Sequence, residues 1–543
     1  MRNNIIQKVA NLFAPILRLY RYQKMKDPFS LFINLKKKVN FPNNNKNILL
    51  LPIRVSPTSN TFEGILGYAL KLRGYSVNAL MCGQSLTKCE NVNQKNNFAL
   101  SCALCKLEQK KFSEAFDINN IEYLDLVSKD EYNNILSLSK NTNLEDIFNY
   151  RYKNVPIGKY VEGGVSRYLL ISNIDLIVNE NIIREYFLTA LLTAEATIQS
   201  LEKYKPKFVI ASHGIYSTWG TAVETCITYG YNVIVWGRGY IGKGNIVASH
   251  NSSYLFETIN ESTDYWINDC VSDKIKQGID AYFINKRNPN SGVDYVSYYA
   301  DIKQDKISVL QKLNLNQDRK RIGIYPNIPW DGKMFSATED FPDLNVFVKY
   351  IIEWANLNPD VDMIIRSHPA EAFRKGNESI EKFIDIINME CHELPSNVIY
   401  IEPTSSISSY ELSEVCDAAL MYASTLALEF SYARHPVIQV GLSNVSNKGI
   451  VFDAFTKEAM FSYLNMAVEG KLKVDEEMYL RVLKYSNYWI NKRHIPEVLM
   501  NLKNLAFDGY MFNNSLMLDK DNFEVLDWFI DRCEDGKPFI WEE

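Results

Sequence analysis

Two polar clusters in the C-terminal half of the sequence carry side chains suited to holding a phosphate. The cluster Arg366-Ser367-His368-Pro369 follows the apolar run 363–365, and the pair Ser424-Thr425 follows the apolar run 418–422 and opens a helical pattern. Arginine and histidine donate hydrogen bonds to anions, and a helix start adds unpaired backbone N–H groups. Taken singly, the hydroxyls are explained as helix caps and the histidine as a loop residue. Together, at the ends of two strands of one domain, Arg366, His368, Pro369, Ser424 and Thr425 predict a phosphate site.

Three further residues extend this candidate site. Glu429 lies one turn after Thr425 on the same helix face, where its carboxylate either accepts a ribose hydroxyl or is solvated. Asn327 and Asp331 lie in the segment 325–332, at the end of another predicted strand. A turn of proline, aspartate and glycine needs no function, so ligand contact and a plain turn are both open for these two residues.

The residues around the clusters predict a doubly wound α/β domain. Apolar runs bounded by turn residues alternate with helical patterns, which is typical of a parallel sheet. The predicted strands are 321–325, 361–365, 398–401, 418–422 and 437–440. Ligands bind at the carboxyl ends of the strands in such domains, and both clusters fall at such ends.

In the first half of the sequence, apolar runs and helical patterns alternate in the same way. A chain of 543 residues is also too long to fold around a single hydrophobic core. We therefore expect two Rossmann-like domains. The predicted divisions are a basic N-terminal segment at 1–46, a first Rossmann-like domain at 47–252, a connector at 253–318, a second Rossmann-like domain at 319–480 and C-terminal helices at 481–543 that pack back across both halves. A turn cluster at 287–292 lies within the connector, and one of the C-terminal helices is predicted at 496–505.

Composition and charge exclude several classes of protein. With 46% hydrophobic and 23% charged residues, the sequence is typical of a globular protein. The net charge of −5 indicates no nucleic-acid partner, and no apolar run reaches the length of a membrane span. No secretory cleavage pattern follows the apolar start, so a cytoplasmic location is expected. Residues 1–40 contain nine lysines and arginines and one acid, Asp27, so this end either lies on an anionic membrane surface or is solvated and frayed.

Four of the nine cysteines are close together in the sequence. Cys82, Cys89, Cys102 and Cys105 fall within 24 positions, and the last two have the spacing of a zinc knuckle. Structural zinc sites usually combine two closely spaced ligand pairs, and the six-residue gap between Cys82 and Cys89 is wider than that. We predict thiols without a bound metal and no cofactor, with structural zinc as the alternative.

The C-terminal half resembles bacterial glycosyltransferases of capsule and lipopolysaccharide biosynthesis. The resemblance rests on Ile365-Arg366-Ser367-His368-Pro369-Ala370-Glu371, on Asp417 with the run 424–429, and on His435-Pro436-Val437-Ile438. The His-Pro and Ser-Ser/Thr pairs are also donor motifs of Kdo transferases and bacterial sialyltransferases. This resemblance implies the GT-B fold, in which two Rossmann-like domains face each other across a cleft. It also implies that His368 and the Ser424-Thr425 pair hold the phosphate of a nucleotide sugar, commonly a CMP-linked one.

The resemblance leaves the catalytic base open. The acidic triplet that supplies the base in sialyltransferases occurs here only as Glu534-Asp535-Gly536, in the C-terminal tail. The candidates are Glu63, which also fits a helix N-terminal carboxylate, His213, which also fits a structural histidine at a strand end, and Asp331. Arg238 and His250 follow at the next strand end, and His250 is interpreted as structural.

The sequence therefore predicts a metal-independent glycosyltransferase that uses a nucleotide-sugar donor. Its acceptor would be a growing bacterial surface polysaccharide or a glycolipid, with peripheral contact to the inner face of the plasma membrane left open. The alternatives are a glycerophosphate or polyol-phosphate transferase of teichoic-acid type, a sugar-nucleotide epimerase, and a non-catalytic scaffold with the same fold.

Overall fold

The computed structural model describes residues 5–54, 56–239, 241, 244–288, 306–331, 333–503 and 506–542. The chain forms two compact units. Unit 1 comprises Met1–Leu169, Ile174–Tyr254 and Arg493–Glu543, and unit 2 comprises Leu170–Asn173 and Leu255–Lys492. The prediction of two α/β units is confirmed.

The strands of the described chain follow in order. They are β1 (Asn47–Leu50), β2 (Ser76–Met81), β3 (Asn119–Glu122), β4 (Arg151–Tyr152), β5 (Val155–Pro156), β6 (Phe208–Ser212), β7 (Val233–Arg238), β8 (Asn245–His250), β9 (Lys320–Tyr325), β10 (Val361–Arg366), β11 (Val398–Ile401), β12 (Ala418–Met421), β13 (Val437–Gln439), β14 (Phe452–Asp453), β15 (Ile495–Pro496), β16 (Met500–Lys503) and β17 (Ala506–Tyr510).

The α-helices are placed between and after these strands. They are α1 (Ile5–Tyr22), α2 (Pro28–Leu35), α3 (Pro57–Leu72), α4 (Phe98–Phe116), α5 (Tyr123–Leu126), α6 (Lys129–Asn141), α7 (Leu144–Ile147), α8 (Gly158–Leu169), α9 (Glu180–Tyr204), α10 (Thr221–Thr228), α11 (Tyr254–Asn260), α12 (Asp273–Lys286), α13 (Lys306–Lys312), α14 (Lys333–Ser336), α15 (Leu344–Leu357), α16 (Ala370–Phe373), α17 (Phe383–Glu390), α18 (Ser409–Ser413), α19 (Leu426–Tyr432), α20 (Lys457–Val468), α21 (Glu476–Asn487) and α22 (Glu524–Asp535). Shorter helical turns lie at Tyr216–Gly220, Thr263–Tyr265, Tyr488–Lys492 and Ser515–Leu518.

The main sheet of unit 1 has the strand order β15-β8-β7-β6-β1-β2-β3. The strands from β7 to β3 are parallel, whereas β8 and β15 run antiparallel to their neighbours. The run Ile48 to Leu51 is fully buried because helices cover both faces of a parallel sheet. Gly64 and Gly67 allow α3 to pack closely against its neighbours. A Cβ at Gly64, for example, would lie only 2.2 Å from the ring of Phe116 in α4. The strand order reverses between β1 and β6.

The sheet of unit 2 is parallel throughout and has the order β11-β10-β9-β12-β13-β14. Numbered along the chain, this is 3-2-1-4-5-6, the order of a dinucleotide-binding fold, and it reverses between β9 and β12. The core on this sheet contains Ile322, Met363 and Leu420 with Phe347 from α15. The five strands predicted for this half agree with the observed ones to within one residue.

Other boundaries differ from the predictions. The helix predicted at 496–505 is wrong, because β16 and β17 form an antiparallel pair whose Met500 and Phe507 are buried in the unit 1 core. The predicted N-terminal segment is part of unit 1, where α1 and α2 pack on α4. The described parts of the predicted connector from Leu255 onward belong to unit 2, and the residues from Arg493 to the end belong to unit 1. Most of the turn cluster at 287–292 lies outside the described residues.

Candidate functional site

The strand order of unit 2 brings the predicted donor residues to one edge of its sheet. Asn327 follows β9, His368 follows β10 and Ser424 follows β12, and these three strands are neighbours in the order β10-β9-β12. Because the strands are parallel, all three residues lie at their carboxyl ends. Asn327 and Ser424 flank the reversal of strand order, which is the place where ligands bind in open α/β sheets.

The loop that carries His368 is organised by Glu371, whose side chain is fully buried. One carboxylate oxygen accepts hydrogen bonds from the Ser367 hydroxyl at 2.8 Å and from the His368 N–H at 3.2 Å. The other accepts from the Phe383 N–H at 2.9 Å. Tyr400 donates to the Ser367 hydroxyl from the neighbouring strand at 3.1 Å. Glu371 belongs to the quoted sequence motif, but only its hydrogen bonds show that it positions the histidine loop.

The protonation state of His368 follows from its contacts. Its Nδ1 accepts a hydrogen bond from the Ala370 N–H at 3.0 Å, so the ring proton is on Nε2. Burial, together with the nearby cations of Arg366 and Arg374, lowers the pKa of His368 to about 4, although Asp331 acts in the opposite direction. The ring is therefore neutral at pH 7 and presents Nε2–H as a hydrogen-bond donor.

Arg366 does not have the role predicted for it. Its guanidinium is buried and donates to four backbone carbonyls, those of Ser367, Glu402, Ser405 and Ile407, at 2.7 to 3.3 Å. These bonds use four of the five N–H donors of the guanidinium, so a bidentate contact with a phosphate is not available. Arg366 holds the loop after β11 against the end of β10, and the prediction that it binds phosphate is corrected.

Ser424 and Thr425 lie between β12 and α19. The Ser424 hydroxyl accepts the Leu426 N–H at 3.2 Å, as in a helix cap, and Thr425 is exposed at this edge. The capping bond uses the oxygen as an acceptor and leaves the hydroxyl proton to donate elsewhere. Pro369 is the N-cap residue of the one-turn helix α16, and its ring restricts the backbone next to His368.

Like Arg366, Glu429 was predicted to contact the ligand and has another role in the structure. Its side chain is 6% exposed, forms an ion pair with Lys286 at 3.2 Å and accepts a hydrogen bond from the Tyr410 hydroxyl. This buried carboxylate is already paired with two partly buried side chains of unit 2. The prediction that it accepts a ribose hydroxyl is therefore corrected.

Asn327 and Asp331 belong to the loop after β9. Asn327 accepts the N–H of the next residue, Ile328, at 2.8 Å, which is a local turn contact. Asp331 forms an ion pair with Arg374 at 2.5 Å, and the Arg374 guanidinium lies over the Trp330 ring at 5.0 Å. An ion-paired carboxylate is a weak proton acceptor, so this geometry does not favour Asp331 as a base. Sequence reasoning missed Arg374, which lies eight residues beyond the strand end.

In unit 1, His213 lies at the point where the strand order reverses, directly after β6. Its backbone has φ 61°, a strained conformation for a residue other than glycine. Its ring stacks on Trp219 at 5.0 Å, and the Arg54 guanidinium lies over the Trp219 ring at 4.0 Å. Buried Glu90 orders this turn by accepting from the Thr218 N–H and hydroxyl, each at 2.9 Å.

The other candidate bases of unit 1 lie elsewhere. Glu63 is fully buried in the middle of α3, where it accepts from Asn60 at 2.6 Å and from the Trp236 indole at 3.2 Å. It cannot reach a substrate from there, so the prediction of Glu63 as a catalytic base is corrected. His250 ends β8, which runs antiparallel, and therefore lies beside Ile234 at the amino end of β7. It is bonded to Asn232 and to the Lys537 carbonyl, as expected for a structural histidine.

The four clustered cysteines line one pocket of unit 1. The pocket is also lined by Arg54 and Gln109. Burial raises the pKa of Cys82 and of Cys89 above that of an ordinary thiol, which favours the protonated form that does not bind metals. Within the described ranges, no group of three or more His, Cys, Asp or Glu side chains is placed to hold a metal ion.

Comparison with known proteins gives matches among solved structures only. No family model matches the sequence, and no curated protein matches it. Solved structures similar to this chain include the β-Kdo 2,4-transferase KpsC of Thermosulfurimonas dismutans, with 12% identity over 51% of this chain and 79% of that chain and a TM-score of 0.33. UDP-GlcNAc 2-epimerase of Neisseria meningitidis, bound to UDP-GlcNAc, has 11% identity over 81% of this chain and 96% of that chain, with a TM-score of 0.24. The glycosyltransferase SnogD of Streptomyces nogalater has 12% identity over 81% of this chain and 94% of that chain, also with a TM-score of 0.24.

Proposed function

We propose that the chain is a glycosyltransferase that binds the phosphate of a nucleotide-sugar donor at the carboxyl edge of the unit 2 sheet. The observation that carries this proposal is the 3-2-1-4-5-6 strand order, which places Asn327, His368 and Ser424 around the reversal of the sheet. In sheets of this kind a nucleotide phosphate binds at that position.

Each residue of the edge has a stated role in the proposal. His368 donates its Nε2–H to a phosphate oxygen, as a neutral and directed donor. Ser424 donates its hydroxyl proton, and the exposed Thr425 adds a second hydroxyl. The side-chain amide of Asn327 donates a further hydrogen bond to the phosphate. These donors stabilise the negative charge that develops on the departing nucleotide, and the proposed reaction uses no metal ion for that purpose.

The acceptor is proposed to be a bacterial surface polysaccharide or a glycolipid, and the donor a CMP-linked sugar, as the His-Pro and Ser-Thr pairs suggest. His213 is the proposed base, because Glu63 is buried and Asp331 is ion-paired. The cytoplasm, at the inner face of the plasma membrane, is the proposed location.

Calorimetry with CMP-, UDP- and GDP-sugars tests the donor site. The variant His368→Ala should weaken binding of the preferred donor at least about tenfold, which corresponds to the loss of one well-placed hydrogen bond. His392→Ala is the matched control, because His392 is an exposed histidine of the same unit. Equal donor affinity in the two variants contradicts the proposal.

Product analysis separates the proposed activity from its alternatives. Transfer from CDP-glycerol in place of a CMP-sugar indicates a polyol-phosphate transferase. Turnover of a nucleotide sugar without an acceptor indicates an epimerase. A chain that binds none of these nucleotides is a scaffold, and the proposal is then wrong.

A further inference from the structure

The first helix of unit 1 exposes a continuous apolar stripe. Eight large side chains of α1 are between 45% and 77% exposed, namely Ile5, Ile6, Val9, Leu12, Phe13, Ile16, Leu19 and Tyr20. At about 100° per residue these positions fall within an arc of about 140° on the helix surface. We call this arc the α1 stripe. An apolar surface of this size on a folded protein commonly marks a place of interaction.

The opposite face of α1 is docked on the protein. Gln7, Ala10 and Ala14 are buried, and the alanines pack with Ala103 of α4. The Gln7 side chain donates to the Ala99 carbonyl at 3.0 Å. These contacts fix which side of the helix faces inward, so the α1 stripe faces outward because of the fold.

Ion pairs to Asp27 and to the buried Glu108 hold the end of the helix in the same orientation. Arg18 pairs with Asp27 at 2.8 Å and with Glu108 of α4 at 3.2 Å, and Arg21 pairs with Glu108 at 3.5 Å. Glu108 has no exposed side-chain surface. Arg18 and Arg21 therefore hold α1 on the rest of unit 1. The charges that face a partner come from exposed lysines instead.

Exposed lysines lie beside the α1 stripe or follow α1 in the chain. Lys8 lies next to the stripe on the helix surface, and Lys24, Lys37 and Lys38 are exposed just after the helix or after α2. The whole chain has a net charge of −5, so this basic region contrasts with the rest of the protein. An anionic partner is attracted here and repelled elsewhere, whereas a second copy of the chain would bring two basic borders together.

We propose that α1 lies in the surface of an anionic lipid bilayer. The α1 stripe enters the boundary between headgroups and acyl chains, and the bordering lysines contact lipid phosphates. Of the helices in the described part of the chain, none is both long and apolar enough to cross a membrane. The contact is thus made by a helix lying along the membrane, and it does not depend on the chemistry proposed for unit 2.

Vesicle flotation with the full chain tests this proposal. The protein should bind vesicles of phosphatidylcholine mixed with phosphatidylglycerol more tightly than vesicles of phosphatidylcholine alone, and added salt should weaken the difference. The triple variant Leu12→Gln, Ile16→Gln, Leu19→Gln should lower the partition coefficient at least about tenfold. Replacing Lys8 and Lys24 by glutamate should lower it at least about fivefold on the anionic vesicles only.

A matched control removes equally exposed apolar side chains elsewhere. Ile177, Val178 and Leu357 are 84%, 79% and 68% exposed, and their replacement by glutamine should leave vesicle binding unchanged. All the substituted side chains are exposed, so folding should be retained, which circular dichroism checks. Equal losses in both triple variants, or no binding by the unaltered chain, overturn the proposal. It is also overturned if the stripe variant converts a dimer to a monomer in light scattering without changing vesicle binding.

Discussion

The buried Glu63 should make the stability of unit 1 fall as the pH rises from 5 to 8. Burial raises the pKa of Glu63 from its ordinary 4.5 to about 7, although hydrogen bonds from Asn60 and Trp236 act in the opposite direction. In this range the folded protein keeps a proton that the unfolded chain has released. Stability is therefore fully present below pH 4.5 and is lost as the pH rises toward 7.

The magnitude follows from the two pKa values. A difference between 4.5 and about 7 corresponds to about 3 kcal/mol in total, of which about 2.5 kcal/mol falls between pH 5 and pH 8. Glu63→Gln abolishes this titration. Glutamine has one acceptor oxygen for the two donors, so it keeps only one of the hydrogen bonds from Asn60 and Trp236, and the variant should be less stable by about 1 kcal/mol at pH 5. It should be the more stable protein at pH 8, by about 1 to 2 kcal/mol.

Hydrogen exchange followed by mass spectrometry measures this effect for unit 1 alone. Peptides that cover β1 and β6 report its free energy of opening at pH 5 and pH 8. Glu202→Gln, which changes an exposed glutamate of the same unit, is the control and should follow the unaltered protein. Equal pH dependence in the unaltered protein and in Glu63→Gln would falsify the reasoning, because Glu63 would then be ionised inside the fold.

Three predictions concern unit 2. Because the pKa of His368 is lowered to about 4, donor affinity should change less than about twofold between pH 6 and pH 8 in calorimetry, and a loss centred near pH 6.5 would show a histidine with an ordinary pKa. Arg366→Lys should destabilise unit 2 by about 2 to 4 kcal/mol in chemical denaturation, since a lysine cannot serve four carbonyls, whereas unchanged stability with lost donor binding would restore the phosphate role. Glu429→Gln should lower stability by about 2 kcal/mol, because it removes the carboxylate paired with the partly buried Lys286, and the double variant with Lys286→Met should recover part of that loss; equal stability of the single and double variants would contradict the pairing.

The strands of unit 2 and the edge they form were predictable from the sequence. Each of the five predicted strands is an apolar run that ends at turn residues, and this local pattern gives both their existence and their limits. The placement of His368 and Ser424 at carboxyl ends follows from a parallel sheet. The order of the strands, which puts Asn327 between them, depends on long-range pairing and became visible only in the fold.

The contacts that change the site came from residues distant in the sequence. Arg366 has the type and position of a phosphate ligand, but it is bonded to carbonyls 36 to 41 residues away, with no local signal. Glu429 is paired with Lys286, more than a hundred residues earlier. The sequence fits Glu63 as a carboxylate at a helix start, yet in the fold it is buried and accepts a hydrogen bond from the indole of Trp236, 173 positions away. Residue type and spacing therefore located the region, and tertiary packing decided which side chains remain available in it.

The division of the chain between the two units has a consequence for its synthesis. Unit 1 needs the segment from Arg493 onward, because β15 pairs with β8 and α22 supplies Leu526 and Phe529 to the core. Unit 2 needs Leu170–Asn173, whose Ser172 N–H is bonded to Glu381 at 2.5 Å, and is complete at Lys492. On the ribosome, unit 2 can therefore finish folding before unit 1, although most of unit 1 is translated earlier. Until the segment from Arg493 onward is translated, β8 lies at an unpaired edge of the unit 1 sheet.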